Sequence, residues 1–170
     1  MIKLQIPHAR EHLTHDEKVH LVARFTDALD KRKVDYDVEA PCRRLNNLDG
    51  VVTVQSCSGG HPHPKAKGFI DMRLSAAQVK TFEKHVIPTA LQRKGYVPKK
   101  RWLLAQGEDG VVVQQATYAL WFPAGEVKAA FELLFNILGA CGAHCPSRGL
   151  LVHPDQLDIG PGCGDINCGH

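Results

Sequence analysis

No stretch of this chain is apolar over a membrane-spanning length, and its opening, MIKLQIPHAR, has neither the apolar segment nor the small-residue cleavage site of a secretory signal. The expected compartment is the cytosol, with no membrane partner. Thiols stay reduced there, so the six cysteines read as free thiols or metal ligands before disulfides. A strong charge of either sign is also missing. The net value of +3 permits an anionic partner without requiring one, so the placement of charge matters more than its total. No internal repeat is visible, and 170 residues are too few for two full domains, although 44% apolar content supplies one sizeable core. From Ala140 onward large apolar residues and periodicity are scarce, and Gly, Pro, Cys and His take their place. The organisation expected is a single domain over 1–139 and a tail over 140–170.

Within the domain the periodicities are clear. Residues 14–31, THDEKVHLVARFTDALDK, open on a capping box, Thr14 with Glu17 three on, and Val19, Val22, Phe25 and Leu29 recur at helical spacing. A short helix is expected from Pro41, acceptable in a first turn, to about Asn47. VVTVQSC and GFIDMRL then read as strands around a loop, the second alternating Phe69, Asp71, Arg73 against Ile70, Met72, Leu74. A helix capped by Ser75 follows, kinked or shortened by Pro88 and stopped by Gly95. YVPKKRWLLAQ and VVVQQATYALWF, joined by a Gly-rich turn, form a second hairpin. A last helix turns Val127, Phe131, Leu134 and Leu138 inward. Two hairpins among helices predict an α+β fold: a roughly four-stranded antiparallel sheet, near 51–57, 68–74, 97–105 and 111–121, with helices on one face.

Three groups of residues carry possible chemistry. Cys141, Cys145, Cys163 and Cys168 are spaced as two loosened pairs across a gap suited to a zinc site, with His144, His153 and His170 as substitutes. A segment this poor in apolar residues cannot order itself, so either zinc ties it, two disulfides close it, or it stays without fixed structure. Lys99, Lys100, Arg101 and Trp102 combine cations for phosphates with an aromatic face for bases, as a nucleic-acid surface requires, or else form a solvated strand. The third group is the loop SCSGGHPHP. Gly59 and Gly60 free its backbone to present consecutive amides, and Ser56 and Ser58 add hydroxyls, which together suit a small anion. Cys57 with His61 and His63 could ligate a metal, and His61 or His63 could act as a base. Cys57 itself is expected to make polar contacts rather than to act as a nucleophile.

LNNLDGVVTVQSCSGG resembles the signature of the wybutosine-synthesis protein 3 family, tRNA-modifying proteins in which an S-C-S-G loop follows a strand preceded by a helix ending in a Leu-Asn-like pair. Ser56, Cys57, Ser58 and Gly59 carry the likeness, which extends through a strand and a helix to KKRWLL around Trp102, about residues 35 to 140. With His61, the loop is also similar to a strand-S-C-x-G-H loop in small bacterial and phage proteins. The resemblance implies an α+β fold and methyl transfer from S-adenosylmethionine onto a modified guanosine of tRNA. Gly60 stands where the family has arginine, Gln106 is nearest to where it has histidine, and the cysteine tail is foreign to it. The alternatives are a non-catalytic protein that binds a nucleotide or small anion, and a zinc-stabilised interaction module.

Overall fold

The computed structural model of the chain describes residues 8–106 and 110–144. In chain order the elements are β1 (His8–Arg10), α1 (His15–Asp30), α2 (Tyr36–Asn46), β2 (Val51–Cys57), β3 (Gly68–Leu74), α3 (Ala76–Thr81), a π-helical turn (Phe82–Val86), α4 (Ile87–Leu91), β4 (Val97–Gln106), β5 (Val112–Phe122) and α5 (Val127–His144). The α+β class and the four antiparallel strands are as expected, with β2 beside β3, β3 beside β5 and β5 beside β4. A fifth strand, β1, makes the sheet mixed by running parallel to β5 over Val113 to Gln115. Three residues are too few for a hydrophobic period to show in sequence.

Two helix boundaries differ from the expectation. α2 begins at Tyr36, and Pro41 lies inside it rather than in its first turn. The ring removes a hydrogen bond to the carbonyl four residues back, that of Asp37, which belongs to an exposed residue. Near Pro88 the chain widens into the π-helical turn, where the Ile87 N–H reaches the Phe82 carbonyl five residues back. That wider register absorbs the missing proline donor without ending the helix. α5 also continues past Ala140 to His144, so the domain extends into the segment read as tail.

β4 follows one edge of β5, from Gln106 opposite Val112 to Val97 opposite Trp121. The other edge is shared: β1 occupies Val113 to Gln115, and β3 occupies Tyr118 to Phe122. The ends of β1 and β3 therefore meet near Ala116, and the fully buried Arg73 fills the junction. Its guanidinium donates to the carbonyls of Ala116 (2.6 Å), Glu11 (3.0 Å), Arg10 (3.2 Å) and His12 (3.0 Å). It also grips both carboxylate oxygens of Glu17, at 2.7 and 3.0 Å. Glu17 is the capping-box acid. Its backbone N–H bonds the Thr14 hydroxyl as expected (3.2 Å), but its carboxylate is diverted to Arg73, since a buried guanidinium left unpaired costs more than an open helix end.

The two faces of the sheet are covered differently. Ile70, Met72, Leu74, Tyr118, Leu120 and Phe122 are fully buried on the first face, against Val38 and Leu45 of α2, Val79, Phe82 and Val86 of the α3–α4 segment, and Phe131, Leu134 and Leu138 of α5. The expectation of helices on one face holds for these and fails for α1. Arg73 points away from Met72 and Leu74 by strand alternation, and its bond to Glu17 puts α1 over the second face. α1 has the expected period but buries none of its residues, and Val19 is 58% exposed. It spans the sheet rather than closing on it. No helix among the described residues is long and apolar enough to cross a membrane.

Candidate functional site

Strand alternation gathers Phe69, Asp71 and Arg73 of β3 on the second face, beside Gln55 and Cys57 of β2, Gln115, Thr117 and Trp121 of β5, and Lys99, Arg101 and Leu103 of β4. This is an unusually polar surface for a covered sheet face. α1 stands over part of it, leaving a cleft of about 1000 Å³. His20 and Arg24 of α1 and Lys33 just beyond it border the cleft, Phe25 and Phe69 supply aromatic wall, and Gln55, Ser56, Gln115 and Thr117 supply amides and hydroxyls. No carboxylate is among the described residues that line it.

Its floor contains polar atoms without a protein partner among the described residues. Thr117 lines the cleft, is 3% exposed, and its buried hydroxyl has no partner among the described residues. On the same face Asp71 is fully buried and takes Arg101 Nη2 on one oxygen at 2.5 Å, while its other oxygen, Arg101 Nε and Trp121 Nε1 are unpaired. Buried polar atoms are normally satisfied, so a group of them on adjacent strands marks a surface kept for something else.

At the end of this face lies the S-C-S-G loop. Asn46, the asparagine of the Leu-Asn pair, accepts from the Thr53 N–H (2.7 Å) and hydroxyl (3.0 Å) and so ties α2 to β2 just before the irregularity between Thr53 and Gln55. Beyond Cys57 the backbone reverses through Gly59 and Gly60, with φ of +84° and +80°. A Cβ at Gly59 would lie 2.6 Å from the Gly68 nitrogen and 2.8 Å from the Ala66 carbonyl, so only glycine permits this close return.

The reversal places His61 over Cys57, with Nε2 3.7 Å from Sγ, and 3.4 Å from a carboxylate oxygen of Asp35. That same oxygen accepts the Ser58 N–H at 3.1 Å and the Ser58 hydroxyl at 3.3 Å. The Ser58 amide holds the Asp35 carboxyl below the usual carboxylate range, more than partial burial opposes it. The loop does receive an anion through Ser58, and that anion is an internal side chain. Gly60 N–H is likewise taken, by the Ala66 carbonyl at 2.7 Å. Ser56 accepts from the buried Cys42 thiol at 3.6 Å, and burial pushes that thiol up, which keeps it protonated.

Ser58 and Gly59 also border a second, smaller cleft of about 530 Å³, between α2 and the start of α5, lined by Asp37, Arg44, Lys128, Phe131 and Glu132 among others. Ser56 lines the larger cleft, so the loop stands between the two. The metal pairing of Cys57 with His61 is thus brought together. His63 is exposed and outside the cluster.

Alternation divides the basic strand segment. Lys99 and Arg101 face the cleft side, Lys100 and Trp102 the other. Arg101 is held by Asp71, Lys100 by Glu11 at 2.7 Å, and Lys99 sits over the Trp121 ring at 5.4 Å. Trp121 in turn lies 4.7 Å from Phe69, whose strand partner is Cys57, so Lys99 and the loop share one end of the sheet. Of the tail candidates, Cys145, Cys163 and Cys168 lie outside the described residues, and Cys141 is described only as a position on α5.

The sequence reading did not single out Asp35, His20, Arg24, Lys33 or Thr117. Asp35 is 22 residues before Cys57, and nothing in their spacing marks the pair. The i, i+4 recurrence of His20 and Arg24 on a predicted helix was available, and would have suggested a basic stripe. No family model, no curated protein and no solved structure matches the chain, so the S-C-S-G likeness stands on the residues that carry it.

Proposed function

We propose that this protein binds a nucleotide-type anion, free or as part of an RNA, in the cleft between α1 and the sheet. The observation that carries the reading is the composition of that cleft: Arg24 and Lys33 stand at its border, and no carboxylate is among the described residues that line it. Cations placed so can neutralise a phosphate, the rings of Phe25 and Phe69 can take a base face, and Gln55 is exposed to offer hydrogen bonds to its edge; Gln115 already donates to Glu17 at 2.8 Å. No residue of α1 is fully buried, but Phe25 packs against the core and Arg73 holds Glu17, so the helix keeps the cleft open from fixed points.

Transfer of a methyl group to tRNA is the second reading. It needs sites for donor and acceptor, and the S-C-S-G loop stands between two clefts. Against it, S-adenosylmethionine is cationic and carries no phosphate, so it leaves Arg24 and Lys33 at the border of the larger cleft without the anion they suit. S-adenosylmethionine suits that cleft less well than a phosphate-bearing ligand does.

The test is calorimetric titration of the full chain with inorganic phosphate, AMP, GMP, S-adenosylmethionine and tRNA, in wild type and in Arg24→Glu/Lys33→Glu. A nucleotide should bind the wild type, weaken with salt, and lose at least about tenfold, or about 1.4 kcal/mol, in the double variant. No binding by any probe, or equal binding by both proteins, sinks the reading. Binding of S-adenosylmethionine alone favours the second.

A further inference from the structure

We infer that Asp35, Cys57 and His61 form a site for a single zinc-type divalent cation. The three side chains come from separate places: Asp35 from the residue before α2, Cys57 from the end of β2, and His61 from the reversed loop. One ligand atom of each lies within 4.8 Å of the others. With metal–sulfur near 2.3 Å and metal–nitrogen or –oxygen near 2.0 Å, a tetrahedral zinc separates a sulfur and a nitrogen ligand by about 3.5 Å and a nitrogen and an oxygen by about 3.3 Å. The spacings here are 3.7 Å for Cys57 Sγ to His61 Nε2 and 3.4 Å for His61 Nε2 to the Asp35 oxygen. Two of the three spacings thus match a tetrahedral ion, and the third, Cys57 Sγ to the Asp35 carboxylate, is within 4.8 Å, so the cysteine and the aspartate close by at most about 1.3 Å to hold a cation.

The geometry also separates a metal site from a proton relay. In a cysteine–histidine–aspartate relay the thiol and the carboxylate occupy opposite ring nitrogens, because the base must take a proton at one and be oriented through the other. Here Sγ and the carboxylate oxygen converge on the same nitrogen, Nε2. That convergence suits ligands around one ion. The Ser58 N–H and hydroxyl, which donate to the Asp35 oxygen, would serve as the outer hydrogen bonds that orient a ligating carboxylate. Thiolate and imidazole together favour zinc over magnesium or calcium, which take oxygen. Three protein ligands leave a fourth position, and with His61 58% exposed that position faces solvent. Open three-ligand sites are those that accept a water or a ligand atom, whereas closed four-ligand sites are structural.

The experiment uses the full chain, so the tail cysteines are controlled rather than removed. Wild type, Cys57→Ser, His61→Gln and the double variant Cys163→Ser/Cys168→Ser are stripped with chelator and titrated with Co²⁺, followed by Zn²⁺ competition and elemental analysis. The site gives a thiolate-to-cobalt charge-transfer band with the intense visible bands of a four-coordinate ion. Cys57→Ser abolishes that band, His61→Gln weakens binding at least about tenfold, and the tail variant retains one equivalent. His61 is exposed enough that its substitution leaves the fold intact, which circular dichroism verifies. A wild type that binds no Co²⁺ overturns the inference. So does a band that survives both loop substitutions, or one lost only with the tail cysteines.

Discussion

The two faces of one sheet follow opposite rules. On the first, Ile70, Met72 and Leu74 of β3 meet Leu120, Phe122 and three helical segments with no exposure. On the second, the intervening residues of the same strand are Phe69, Asp71 and Arg73, and the helix above them has no fully buried residue. A strand that needed only to hold the fold together would place solvated polar residues on its second face. Instead this face holds a buried aspartate and a buried arginine with an open cleft beside them. On the proposed reading the difference leaves stability to the first face and recognition to the second, with Arg73 as the exception that serves both.

The largest test of that division is Arg73→Met. Methionine occupies much of the same volume but leaves the Glu17 carboxylate with only the Gln115 amide, and a set of carbonyls at the β1–β3 junction without their donor. Breaking a buried pair from one side costs about 3–5 kcal/mol. Urea denaturation should show a loss of this size at unchanged m-value, and a loss below about 1 kcal/mol would mean that the junction is held by strand pairing alone.

A paired truncation sharpens the contrast. Leu134→Ala opens a cavity under the first face, where Leu134 is fully buried, and should cost about 2–4 kcal/mol. Leu21→Ala removes the same atoms from the part-exposed cleft wall and should cost no more than about 1 kcal/mol. Equal losses would show that α1 closes on the sheet in solution and that the cleft is not a standing feature.

How much of this was legible follows from what each face needs. The strands β2 to β5 and the apolar side of the sheet rest on β-branched alternation, a local signal, and the sequence located them within about two residues. The placement of α1 was not local. Its period predicts an amphipathic helix but not which surface it meets, and the deciding contact is the Glu17–Arg73 pair across 56 positions. The S-C-S-G loop was recognisable because Gly59 and Gly60 announce a reversal, and the pairing of Cys57 with His61 follows from their being four residues apart. Asp35 was invisible because the carboxylate completing the cluster reaches it through tertiary packing of α2. The basic run Lys99, Lys100, Arg101 misleads in the opposite sense: adjacent in sequence, its members part to opposite faces, and Lys100 and Arg101 are already paired with acids.

A smaller effect, with an informative sign, comes from Thr117→Val. The threonine hydroxyl is buried on the second face without a partner among the described residues, and valine is nearly its isostere. Removing an unsatisfied buried hydroxyl should stabilise the free protein by about 1 kcal/mol, while nucleotide affinity falls if the hydroxyl is kept for a ligand. Thermal melts and the calorimetric titration read both quantities from one preparation. Destabilisation instead would show that Thr117 is satisfied in solution and belongs to the fold rather than to the cleft.

The smallest effect tests the first face at its border, where Tyr96, 5% exposed, donates its hydroxyl to Glu126 at 3.0 Å. Burial pushes the phenol above its ordinary 10.0, and the hydrogen bond to Glu126 adds to the rise. Because the folded pKa is the higher one, the unfolded chain releases this proton first as pH climbs past 10. The contribution of Tyr96 is therefore fully present below pH 10 and is lost as pH rises from there toward the folded pKa. Tyr96→Phe should cost about 0.5 kcal/mol at neutral pH, at the low end for a hydrogen bond because Glu126 is exposed. The gap between wild type and variant should narrow above pH 10 and then reverse, since phenylalanine has no proton to withhold. Denaturation series at pH 8, 10 and 11 measure it. A gap that stays constant across the series would mean that the phenol ionises as readily folded as unfolded, and that the first face admits water at this border.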